Sequence, residues 1–239
     1  MKKILLFFGI LIALLALLAE FVLPNILTGM LRDQVIRVTA AQEINLSLDS
    51  SPRFMIAAGR VDSVHCDAVN GKIGELDTSK LTLDGDNVKV DMPALLFGLK
   101  EGKRHFEVDE VLKSVGNVEL TGVITEDNLR DFLMKKFSQI EELQIKMTPV
   151  SINAIAKARV LGRAASVDLN GVVIADDGDL YFHATGFNIH NALLRHVQLD
   201  NFLADLKIVD ADQLPLDLKF SKVEQQEGQT VLTAVRTAQ

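Results

Sequence analysis

The chain of 239 residues contains no tryptophan, one tyrosine and one cysteine. A single cysteine excludes an intrachain disulfide and a paired-thiol site. Tryptophan and tyrosine join a polar tip to an aromatic body, so their scarcity argues against a site that stacks sugars or bases. Positive charge is also in the minority, with 25 Lys and Arg against 32 Asp and Glu and a net charge of −7. That balance argues against nucleic acid as a partner and against a nonspecific grip on anionic headgroups. Familiar catalytic signatures are missing: G-x-S-x-G, H-E-x-x-H, a phosphate-cradling Gly-rich loop and C-x-x-C. The five histidines are scattered, and the closest three (His183, His190, His196) match no ligand spacing, so no metal site and no cofactor are expected.

What the chain does have is grease. Residues 4–23 are almost wholly apolar and follow Lys2 and Lys3. A bilayer core about 30 Å thick needs about 20 apolar residues as a helix, and this run has that length. The lysines favour the cytoplasmic side, which places the rest of the chain outside. The alternative is a signal that is cleaved, leaving a secreted body. Ala16 and Ala19 are small, but Leu17 occupies the −3 position for cleavage after Ala19, and the apolar run continues through Leu23. The expectation is a signal-anchor over residues 1–24 in the cytoplasmic membrane and an extracytoplasmic domain over 25–239.

Twelve phenylalanines, nine of them beyond the apolar run, supply a dry interior. After Pro24, Ile26, Leu27, Met30, Leu31, Val35 and Val38 repeat at helical spacing. From Glu43 the period changes to two, and most later segments read as strands. Segments 81–85, 118–122 and 167–171 share an order of apolar, polar, apolar, polar and glycine, and 182–186 fits it loosely. A strand glycine marks a bulge or a sharp bend. One later helix is capped by Thr125, carries Glu126 and Asp127 at its start, and has Leu129, Phe132, Leu133, Phe137 and Ile140 as its apolar face. Pro149 marks a return to strands, and Leu214, Leu216, Leu218 and Phe220 alternate into a closing hairpin around Glu227-Gly228. Residues 191–206 fit a helix or a loop.

Other features have a bland reading beside a functional one. Cys66, within alternating Val64-His65-Cys66-Asp67-Ala68, reads as a small buried hydrophobe. Asp176-Asp177-Gly178-Asp179 resembles part of a calcium loop but lacks its closing glutamate, and a hairpin turn fits better. Lys100, Lys103, Arg104 and His105 follow apolar residues 93–99 and read either as a solvated turn or as a membrane-touching loop with Phe97 inserted. The Pro52–Gly59 segment reads as a short helix that covers a sheet end or dips into lipid through Phe54.

The order of these segments carries a resemblance. An anchor runs into an amphipathic helix and a strand at 44–48. The Pro52/Phe54 segment, Gly59-Arg-Val-Asp-Ser-Val64, strands over 76–91, Val123-Ile-Thr-Glu-Asp-Asn-Leu129 and Leu214-Pro-Leu-Asp-Leu-Lys-Phe-Ser-Lys-Val223 follow. Over residues 20–236 the chain resembles the LmeA-like phospholipid-binding family of bacterial cell envelopes. The resemblance implies an α+β, TULIP-like fold: one elongated domain of curved antiparallel sheet wrapped around amphipathic helices. It also implies phospholipid as the partner, and it carries no catalytic residue. From periodicity alone, the expected lipid contacts are Met30, Leu31, Phe54, Phe97, Phe132 and Phe137. A phospholipid-binding protein of the envelope, engaged in lipid transfer or maintenance, is the leading reading. A non-lipid scaffold or assembly protein is the alternative, and its protein partner is unknown. An enzyme would require a cleft where histidine and carboxylates converge.

Protease added to intact spheroplasts should digest the body while the N-terminus keeps its leader. A mature protein whose sequence starts near Glu20 would instead identify a cleaved signal.

Overall fold

A computed structural model describes residues 28–29, 32, 36, 39–101, 111–160, 163–190 and 205–236. The apolar run, Met30 and Leu31, the cluster Lys103-Arg104-His105 and His196 lie outside the described residues. Thr28, Gly29, Arg32, Ile36 and Thr39 have helical backbone. Among the described residues no helix is long and apolar enough to cross a membrane.

Antiparallel sheet dominates, one sheet is curled as a half-barrel, and helices are few. The elements are β1 (Glu43–Asp49), a 3-10 helix (Arg53–Ala58), β2 (Arg60–Val69), β3 (Lys72–Ile73), β4 (Leu76–Asp77), β5 (Lys80–Val90) and α1 (Met92–Lys100). They continue with β6 (Leu112–Ser114), β7 (Val118–Thr125), α2 (Glu126–Lys136), β8 (Ile140–Met147), β9 (Ile152–Val160), β10 (Arg163–Asp176) and β11 (Asp179–His190). The chain closes with β12 (Asp205–Val209), two 3-10 turns (Ala211–Gln213 and Pro215–Asp217), β13 (Leu218–Gln226) and β14 (Gln229–Arg236). A seven-stranded sheet has the order β1-β2-β5-β7-β14-β13, with β6 on β5; a five-stranded sheet has the order β12-β11-β10-β9-β8; β3 and β4 pair alone.

Two compact units divide the chain, one of residues Met1–Asp67 and Leu83–Val118, the other of Ala68–Thr82 and Glu119–Gln239. In the first, Ile44, Ile56, Val61, Cys66, Met92 and Leu95 are buried. The alternation of β2 puts Cys66 on its dry face as expected, and burial pushes the thiol's pKa up, which keeps it protonated and inert.

In the second unit, α2 begins as its sequence predicts. The Thr125 hydroxyl accepts from the Asn128 N–H, and the Asn128 side chain accepts from the Thr125 N–H at 3.0 Å. The helix is shorter than its apolar spacing suggests. Phe137 leaves helical geometry as the C-cap, and Ile140 opens β8. Leu129 and Phe132 alone are buried from its apolar face, and Ile140 instead pairs with Ala158 as the first residue of β8. Strands therefore resume at Ile140 and not at Pro149, which lies between β8 and β9. The expected alternation from Leu214 is also corrected. Leu216 and Asp217 adopt left-handed φ of 61° and 54° within a 3-10 turn, and the strand starts at Leu218.

The strand glycines separate into two kinds. At Gly171 a β-carbon would meet the Phe182 ring and lie 2.6 Å from the His183 carbonyl oxygen. At Gly122 it would lie 2.7 Å from Ile73 Cδ1. Gly186 has no atom within 4 Å of that position, and Gly85 has only the Asn117 carbonyl at 3.9 Å. The register of β10 against β11 shifts between Asn170 and Gly171, so the partner of Asn170 is Gly186 while that of Gly171 is Ala184. The extra residue, Thr185, makes a bulge in β11 and reverses which face its later residues occupy.

The acidic turn between β10 and β11 does structural work through Asp179. Its carboxylate accepts from the Ala211 N–H at 2.7 Å, pairs with Lys207 at 2.7 Å and accepts from the Tyr181 hydroxyl at 3.0 Å. The Ala211 N–H first, then Lys207, hold this carboxyl below the ordinary range. The resulting stability is present above about pH 4, where an unfolded Asp is ionised, and is lost as pH falls through the lower folded value.

Gly171→Ala should cost about 2 kcal/mol, an overpacking penalty against backbone and ring, whereas Gly186→Ala should be close to neutral; thermal melting separates them. Asp179→Ala should cost about 2 kcal/mol at neutral pH through loss of a charged acceptor. The difference from wild type should shrink when urea unfolding is repeated at about pH 3.

Candidate functional site

The five-stranded sheet has one dry face, which β8, β9 and β10 build in cross-strand rows. Met147 pairs with Ile152 and Ile152 with Gly171; Ile145 with Ala154 and Ala154 with Leu169; Leu143 with Ala156 and Ala156 with Val167. Small residues on β9 leave shallow ground between larger ones on its neighbours. At one end the face is closed: Met147, Ile152, Val173, Leu180 and Phe182 are buried. Along β10, Leu169 and Val167 are only half-buried, as is Ala156 beside them, between buried Leu143 on β8 and buried Ala165 further along β10.

Helix α2 is tied to both edges of this sheet. At its start the Glu126 carboxylate accepts from the Met147 N–H of β8 at 2.8 Å. At its end the Lys136 ammonium donates to the Lys207 carbonyl of β12 at 3.1 Å. Between these ties α2 runs alongside β8, and Glu126, Asp127 and Arg130 share a recess with Leu143, Gln144 and Ile145. Leu129 and Phe132 are buried beneath it, and Lys136 stands 5.2 Å from the Phe132 ring centroid. Leu133 and Phe137 are half-buried, and the Ile140 N–H donates to the Phe137 carbonyl at 3.1 Å, which holds the helix end beside the start of β8.

The expected contact residues thus part company. Phe132 is 4% exposed and belongs to the closed interior. Phe137 is half-buried at the helix end. Phe54 and Phe97 stand exposed in the other unit, at 50% and 62%. The spacing of helix residues alone did not single out Val167, Leu169 and Ala156. Their strand alternation was the available signal, but alternation does not tell a filled row from an open one.

Polar groups around the helix are mostly engaged. A recess of about 200 Å³ is lined by Glu126, Asp127, Arg130, Leu143, Gln144 and Ile145. The Arg130 guanidinium there is shared between Asp127 and Asp131. On the sheet's other face Lys157 pairs with Glu142 at 2.6 Å, and His190 with Asp168 at 2.6 Å. In the first unit His65 bridges Asp84 at 2.6 Å and Asp67 at 3.2 Å, and these two carboxylates, Asp84 foremost, raise its pKa. Each cluster is an ion pair between neighbouring strands or helix turns. Among the described residues no group of His, Cys, Asp or Glu has the geometry of a metal site.

No curated protein and no solved structure matches the chain. One family model matches residues 16–235, nearly the whole length, and its description is LmeA-like phospholipid-binding. A half-open dry face beside a helix has the chemistry to hold an apolar chain. The chain belongs to the LmeA-like phospholipid-binding family.

Proposed function

We propose that this protein is a membrane-anchored, extracytoplasmic phospholipid-binding protein, that it is not an enzyme, and that it moves or maintains lipid in a bacterial cell envelope. The observation that carries the reading is the dry face of the five-stranded sheet, closed around Phe182 and half-open at Val167 and Leu169. Acyl methylenes laid there would contribute about 0.8 kcal/mol each, so a short length of contact holds a lipid without a dedicated headgroup pocket. The small, half-buried side chain of Ala156 leaves a chain room to lie between Val167 and β8. Engaged polar groups at the rim agree with recognition through hydrocarbon. The apolar run at residues 4–23 supplies the anchor in this reading, and the body works outside the cytoplasmic membrane.

A phospholipid with a photoactivatable group on its acyl chain, added to the full chain in detergent, tests this. Label should map to peptides of α2 and β10 as well as to the apolar run; label confined to residues 4–23 would sink the proposal. Val167→Gln should lower labelling of the body while leaving the melting temperature close to wild type, because a half-buried amide still reaches water. Phe132→Gln should cost about 3 kcal/mol, since its amide is buried without a partner. A Val167→Gln protein that labels like wild type would leave the scaffold reading in its place.

A further inference from the structure

Phe54 and Phe97 have no role in the dry face, and they stand at one end of the first unit. The 3-10 helix that carries Phe54 leads into β2, and β5 runs out into α1, which carries Phe97. The two junctions are held together. Val90 N–H donates to the Gly59 carbonyl at 2.7 Å, and a β-carbon at Gly59 would lie 2.9 Å from Met92 Cγ. The inner sides are packed through Ile56, Met92 and Leu95. The start of α1 is fixed by Asp91, which accepts from the Ala94 N–H at 3.0 Å and pairs with Lys113 at 3.0 Å. Among the α1 residues whose exposure is described, the exposed ones are Pro93, Ala94 and Phe97, and all three are apolar. Apolar side chains left in water by a short helix call for a cover. The other exposed large apolar side chains among the described residues, Val69, Met134, Val150 and Ile155, lie in the second unit and are aliphatic.

We propose that this end of the first unit is a membrane-docking surface, with Phe54 and Phe97 as wedges that enter a phospholipid bilayer. The proposal deepens the phospholipid-binding reading and rests on it, since it names the surface through which the protein meets its lipid source. Three observations select a bilayer as the occupant. The exposed α1 residues that are described, Pro93, Ala94 and Phe97, offer hydrocarbon. The charged residues around the wedges in sequence, Arg53, Arg60, Lys89, Lys100 and Lys113 against Asp49, Asp62, Asp91 and Glu101, carry no acidic excess, in a chain of net charge −7. This end is therefore spared the repulsion that the rest of the protein meets at an anionic surface, and Arg53 and Arg60 flank the Phe54 segment as phosphate contacts. Finally, Phe54 follows the apolar run at residues 4–23 by only about 30 residues, a tether short enough to keep this end at high effective concentration beside a bilayer.

The absence of tryptophan makes the test direct. Phe54→Trp, Phe97→Trp and, as reference, Val150→Trp each give the full chain a single indole; Val150 is 81% exposed in the other unit. Each protein is reconstituted into vesicles of equal parts phosphatidylcholine and phosphatidylglycerol, with and without bromine on the acyl chains. Emission at positions 54 and 97 should shift to the blue and be quenched at least about twice as strongly as at 150, because bromine in the acyl layer reaches only indoles that enter it. Equal quenching at all three positions overturns the proposal. Blue emission at 54 and 97 that bromolipid leaves unquenched also overturns it, and identifies a second copy or another part of this chain as the cover. Acyl-chain photolabelling of the same proteins separates the two readings. Labelled β10 without quenching removes the docking surface alone, whereas quenching without labelled β10 upholds docking and removes the interior lipid site. The double variant Phe54→Ser/Phe97→Ser should melt as wild type and lose its bromolipid-accessible surface, with a several-fold fall in label taken up from vesicles but not from detergent. An unchanged uptake from vesicles would overturn the proposal.

Discussion

Everything near the dry face depends on a helix fastened at both of its ends. A single amphipathic helix of 11 residues is too short to hold itself in water and must be held by what it packs on. Here the Glu126 carboxylate and the Lys136 ammonium each reach a backbone group of an opposite edge strand. The fastening fixes how much of the sheet the helix covers. Leu129 and Phe132 close the interior beneath it, and the rows beyond stay half-open. Had the helix continued through Phe137 and Ile140, as its spacing allows, the first strand of the sheet would lose its start.

Much of the fold could be read from the residues. The change from helical to alternating period at Glu43, the Thr125 cap, the buried face of Cys66 and the closing hairpin are local decisions, made by a few adjacent side chains. The elements that resisted reading are those where competition is long-range. Whether Ile140 extends α2 or opens β8 depends on its strand partner Ala158, 18 positions later. The left-handed pair Leu216-Asp217 has neither glycine nor asparagine to announce it. The turn at Asp176–Asp179 was legible as a turn, but the hub made by Asp179 depends on Lys207 and Ala211, about 30 residues away.

The site was less legible than the fold, and for a physical reason. Apolar periodicity says which side chains avoid water. It does not say whether protein or lipid provides the shelter. The four phenylalanines among the six residues expected to touch lipid illustrate this: Phe132 is enclosed, Phe137 partly so, and Phe54 and Phe97 stand in the open. The repeated strand glycines divide on the same ground. Gly122 and Gly171 have neighbours so close that no side chain fits, while Gly85 and Gly186 have room. Sequence records the glycine alike in all four places.

The pairing of β14 with β7 has a consequence in time. Strand β7 (Val118–Thr125) pairs with β14 (Gln229–Arg236), about 100 residues later and the last of the described strands. The closing hairpin is also held to the five-stranded sheet, through Phe220 N–H to the Gly178 carbonyl and Gly228 N–H to the Met147 carbonyl. A chain emerging from its N-terminus therefore carries an unfinished sheet edge until β14 follows, and such non-local pairings slow folding. The unpaired edge of β7 is exposed to other chains throughout that wait. Because β14 lies between β7 and β13, one late segment decides at once whether two strands find their partner.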